Sequence, residues 1–122
     1  MADYAPKFLY ADQITGVASA TITGGQVLVV SGDGTVGPAG ADATNFIGVA
    51  AQDAAANAEV SYFPRGKVHV STAAGGGNGV VAGALVYTAA SGTVDDTGTA
   101  GRHIGIFLTT AAAGAAAEWM EI

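Results

Sequence analysis

The stretch GQVLVVSGDGTV, residues 25–36, decides the fold. Gln26–Ser31 is a short apolar run dominated by β-branched residues, and Gly32-Asp33-Gly34 after it is a chain-reversal signal. A strand that runs into a tight hairpin turn is the direct reading. The same text satisfies G-x-G-x-x-G through Gly37. In a dinucleotide-binding fold those glycines open a helix whose N-terminus holds a pyrophosphate. Here Pro38-Ala39-Gly40 follows, and little chain is left before the next apolar run at Phe46. No helix fits there, so the hairpin is preferred.

The phrase occurs a second time. Residues 83–88, GALVYT, followed by Gly92-Thr93-Val94, match residues 25–30 followed by Gly34-Thr35-Val36. Phe46-Ile47-Gly48-Val49-Ala50 then matches His103-Ile104-Gly105-Ile106-Phe107. Ala54–Ala56 with Ala58-Glu59-Val60 matches Ala111–Ala113 with Ala117-Glu118-Trp119. Three blocks in one order point to two similar halves, about 22–63 and 80–122. The second copy keeps the turn and loses the glycine spacing, which further weakens the dinucleotide reading.

Working outward, β-type runs occur near 17–23, 26–31, 46–50, 59–63, 67–71, 84–88, 103–108 and 118–122, separated by Gly, Pro, Asn and Asp clusters. Short strands at this spacing predict a mainly β chain: a small single-domain barrel or sandwich over residues 14–122, with two related half-barrels sharing one core. The Ala runs at 53–58 and 111–117 read as compact turns, with a short helix as the rival, because helices of two turns are marginal alone. The glycine run at 75–79 lacks the Lys-Ser/Thr of a phosphate loop and reads as a flexible linker between the halves.

Composition narrows the function. Of 122 residues, 27 are Ala and 19 are Gly, and aromatics are 7%, so the core must lean on Val, Ile and Leu. Charged residues are 11%, against roughly 25% in an ordinary soluble domain. Such a surface gains from being covered by neighbours. A net charge of −6 with four Lys and Arg argues against nucleic acid. The absence of Cys removes disulfides and thiolate metal sites. No apolar run approaches a membrane span and no signal peptide opens the chain, so synthesis in the cytosol is expected.

No catalytic constellation emerges. His69 and His103 lack metal-ligand spacing. Alternation with Val68 and Val70 places His69 outward, while His103, at the position of Phe46, reads as a half-buried packing residue. Asp95-Asp96-Thr97-Gly98 is ordinary turn chemistry, and no G-x-S-x-G elbow occurs. Arg65, Lys67 and His69 are alternate residues, which predicts one basic strand face with Val68 and Val70 entering the core. That strip is either a solvated face or a contact for an acidic partner.

Residues 1–13, MADYAPKFLYADQ, differ from the rest. Pro6 disfavours helix, so an extended arm is expected, carrying Tyr4, Lys7, Phe8, Leu9 and Tyr10. An extended aromatic segment can add a strand to a partner's sheet edge, or fold back on its own barrel.

FIGVA at 46–50, AAANAEV at 54–60, RGKV at 65–68, GALVY at 83–87 and Ile104-Gly105-Ile106 together resemble the Gly/Ala-rich capsid decoration, or head-stabilising, proteins of tailed bacteriophages. The resemblance covers roughly residues 14–122. It implies a β-clip or β-tulip-like fold and homotrimers on the outer capsid surface, with each arm touching the major capsid protein after synthesis in the host cytoplasm. The chain departs from that pattern in its longer loops at 32–44 and 93–102. A structural virion protein without enzyme activity or cofactor is therefore expected. The alternative is a non-catalytic, adhesin-like module of a virion fibre.

Overall fold

A computed structural model describes residues 13–64, 68–74 and 78–122. Residues 1–12 of the expected N-terminal arm, Arg65 and Lys67 of the three-residue basic strip, and residues 75–77 of the glycine run lie outside the described residues. Ten strands follow in order: β1 (Ile14–Ala18), β2 (Val27–Gly32), β3 (Thr35–Pro38), β4 (Phe46–Ala50), β5 (Glu59–Pro64), β6 (Val68–Thr72), β7 (Leu85–Thr88), β8 (Val94–Asp95), β9 (Gly105–Phe107) and β10 (Ala116–Glu121). The first five close into a barrel in the order β1-β3-β2-β4-β5, and the last five form a sheet in the order β6-β10-β9-β7-β8. The chain is mainly β, as expected.

Gly32-Asp33-Gly34 turns β2 into β3, with Gly34 in the left-handed region at φ 73°. A strand follows the glycine run where a dinucleotide site needs a helix. Both Ala runs are turns, reversed at Asn57 (φ 69°) and Gly114 (φ 81°). The first strand begins at Ile14 rather than Val17, and the short strands β3 and β8 lie outside the β-type runs of the sequence. Each holds few residues and depends on a partner: Val17 and Ala18 pair in parallel with Thr35 and Val36, a long-range contact invisible to local pattern.

The two sheets repeat one plan. Ile22 and Ala54 exchange backbone hydrogen bonds of 2.8 and 2.9 Å, and so do Val80 and Ala111 at 2.8 and 3.0 Å. Asn57 N–H bonds to Ala18 O in the first sheet, and Gly114 N–H bonds to Ala73 O in the second. The β1–β3 closure of the barrel is reduced in the second sheet to the parallel bridge Ala73↔Val94. Strand registers place Ala50 opposite Tyr62 and Phe107 opposite Trp119. Tyr62 therefore corresponds to Trp119, and Glu59 corresponds to Ala116. The sequence match of Glu59 with Glu118 is thus displaced by two residues. β5, which ends at Pro64, belongs to the barrel and β6, which begins at Val68, to the second sheet, so the glycine run at 75–79 does not join the two sheets.

The expectation of one shared core is corrected. Ala18, Ile22, Leu28, Val36, Ala50, Val60 and Tyr62 fill the barrel alone. A second cluster joins the inner face of the other sheet, including Val86, Phe107 and Trp119, to Val27, Ala39 and Val49 on the outside of the barrel. Val27 and Leu28 are adjacent and both 0% exposed, so β2 is buried on both faces. Full burial of a Val or Leu side chain contributes about 1.5–3 kcal/mol, which is how a chain with few aromatics holds two sheets together.

Candidate interaction surfaces

His69 is 5% exposed, whereas Val68 and Val70 are 59% and 53% exposed. The predicted parity of β6 is therefore inverted, and His69 is no part of a partner-facing basic strip. The cause lies across the strand pair. Trp119, opposite His69 in the β6–β10 register, is fully buried and carries an indole N–H that needs an acceptor. Trp119 Nε1–H donates to Ser71 Oγ at 3.0 Å. His69 stacks at a tilt on Trp119 with centroids 4.9 Å apart, and its Nε2 lies 3.1 Å from Glu121 Oε1. The inward polar residues of β6 are satisfied by β10, Ser71 by Trp119 and His69 by Glu121, and the valines take the outer face.

That outer face is apolar across four strands. Val68 lies opposite Met120, Met120 opposite Ile106, and Ile106 opposite Leu85. Met120 and Leu85 are 40% and 38% exposed. Alternation marks these residues as sharing a face, but it does not say that the face is outward. The sequence pairing of GALVYT with GQVLVV aligns Leu85 with Val27, and only packing makes one exposed and the other covered.

The remaining candidates are structural. Asp95 Oδ1 accepts the Asp96 N–H at 2.8 Å, and Asp95 Oδ2 accepts the Thr97 hydroxyl at 3.2 Å, closing a local turn. Among the described residues no group of three or more His, Cys, Asp or Glu is placed to hold a metal ion. Also among them, no helix is long and apolar enough to cross a membrane. His103 is exposed rather than half-buried, resting edge-on against Tyr87 at a centroid distance of 6.4 Å. Burial raises the Tyr62 hydroxyl pKa.

The two long loops meet. Ala43 N–H donates to Thr88 Oγ1 at 2.7 Å, seating the first loop on β7. Asp42 then receives the Thr99 N–H and hydroxyl, and Arg102 Nη1 donates to Asp42 O at 3.1 Å. These bonds lock the first half to the second at one end of the molecule.

With this geometry in place, comparison with known proteins is decisive on family. A family model described as phage cement protein matches residues 8–122. The chain belongs to the phage cement protein family. This cement protein is accordingly a structural, capsid-associated component of the virion, as the resemblance implied. The matched region takes in Phe8, Leu9 and Tyr10 of the arm. Among solved structures, the head fiber gp8.5 N base of bacteriophage phi29 superposes with a TM-score of 0.70 at 18% identity, covering 90% of this chain and 92% of that one. At that identity the likeness establishes a shared fold. No curated protein sequence matches significantly.

Proposed function

We propose that this cement protein decorates the outer surface of the phage head as a homotrimer, binding the major capsid protein and cross-linking its subunits without catalysis or cofactor. The observation that carries the reading is the family match over residues 8–122, which includes half of the aromatic arm. The arm, with Tyr4, Pro6, Lys7, Phe8, Leu9 and Tyr10, is the proposed grip. An extended segment gains main-chain hydrogen bonds along a neighbour's sheet edge while alternate side chains fill pockets. Three arms on one trimer would multiply weak contacts through effective concentration. The basic strip reduces to Arg65 and Lys67, facing an acidic capsid surface. Nucleic acid and membrane are not partners in this reading, and synthesis is in the host cytoplasm. The halves at 22–63 and 80–122 are proposed copies of one unit, supported by their matching turn hydrogen bonds.

Deletion of residues 2–12 tests the grip. The truncated protein should fold, as judged by circular dichroism, and should no longer bind phage particles lacking this protein. Full occupancy by the truncated protein, or its unfolding, would overturn the assignment. A second reading, a module at the base of a head fibre, is favoured by the fold shared with the phi29 head fiber base. Electron microscopy of particles separates the two: a low surface cap supports decoration, and a projecting fibre supports the base.

A further inference from the structure

We infer that the outer face of the second sheet, built on Val68, Val70, Leu85, Ile106 and Met120, is where a second copy of this chain docks. The inference rests on the self-association proposed above and names the surface that carries it.

The chain's own repeat shows what such a face is for. In the barrel, Val27 lies opposite Val49, and Val49 opposite Phe63. In the second sheet, Leu85 lies opposite Ile106, and Ile106 opposite Met120. The matched registers make these the same row on the two sheets. Val27 and Val49 are 0% and 3% exposed, because the second sheet packs over them. Leu85 and Met120 are 38% and 40% exposed, and nothing in the described chain packs over them. The first row is covered within the chain at Val27 and Val49, and its counterpart is left bare at Leu85 and Met120. The bare row also continues into the interface between the sheets, since Val68 and Val70 line the same cleft as Val49 and Phe63. Contiguous exposed apolar surface of this kind marks an interaction site.

Charge selects the occupant. The chain carries a net charge of −6, so copies repel wherever charged faces meet. Among the described residues at outward positions of β6, β7, β9 and β10, the one charged side chain is Glu118, opposite Val70. A foreign partner could be met through complementary charge. A face nearly stripped of charge suits a partner with the same acidic balance, which is another copy. In a cyclic trimer this face would meet a second patch on the next copy, and a face with little charge does so without adding to the repulsion.

Light scattering on the full chain, compared with Val68→Lys and Met120→Lys variants, tests this. The wild type should have a mass that is a multiple of the 11.8 kDa chain, and each variant should fall to a single chain or associate at least tenfold more weakly. Val30→Lys, on an exposed site of the barrel, should keep the wild-type mass. Met120→Gln guards against misfolding of the lysine variants and should weaken association in the same direction. Unchanged mass in the folded face variants would overturn the inference, and so would a monomeric wild type. A monomeric wild type whose face variants lose particle binding would assign the face to the capsid. Self-association appearing only after removal of residues 2–12 would assign it to the arm. Either outcome overturns docking of a second copy. Monomeric variants that still decorate particles would uphold the face and remove the trimer from the decoration reading.

Discussion

Thr99 donates both its backbone N–H and its hydroxyl to the Asp42 carboxylate, at 3.0 and 2.9 Å, across a sequence separation of 57 residues. The Thr99 N–H, then its hydroxyl, and to a lesser degree the Arg102 charge hold the Asp42 pKa below its ordinary value. A folded-state pKa below the unfolded one gives stability that is present above the ordinary carboxylate range. It is lost as pH falls through the folded value. Urea denaturation at neutral and acidic pH should therefore show wild type losing more stability on acidification than Asp42→Asn. Equal losses would rule out this contribution.

The Trp119 indole N–H depends on Ser71 in a fully buried setting. Ser71→Ala strands that donor and should destabilise by about 1–3 kcal/mol. Trp119→Ala removes the largest side chain of the core and should cost about 3–5 kcal/mol. Denaturant midpoints measure both, and a Ser71→Ala midpoint equal to wild type would mean that water reaches the indole.

Gly48 and Gly105 occupy matching positions, and a Cβ at either would collide with backbone: the Phe63 carbonyl in one sheet and the Met120 carbonyl in the other. Gly48→Ala and Gly105→Ala should each destabilise by about 1–3 kcal/mol, since packed strands cannot yield without displacement. Gly40 has open space around its Cβ direction, so Gly40→Ala should be neutral or slightly stabilising. Thermal melts of the three variants check the contrast, and comparable effects at all three would refute it.

The Gly32–Gly37 fingerprint sits in the β2–β3 hairpin. Thermal-shift titration with NAD or ATP should leave the melting temperature unchanged, and a saturable rise would reopen the dinucleotide reading.

The residues alone determined the β class, the Gly32-Asp33-Gly34 hairpin and the turns at Asn57 and Gly114, because strand period and turn chemistry are local properties. They also carried the family, through motifs spread along the chain. Alternation fixes which residues share a face, but it cannot say which face is inside. For β6 the answer came from Trp119, whose buried N–H drew Ser71 inward and carried His69 with it by parity. Nor could periodicity tell that Val27 would be covered while its counterpart Leu85 stays exposed. That difference exists because the second sheet has the barrel beneath it, and burial is set by what packs against a strand rather than by the strand itself.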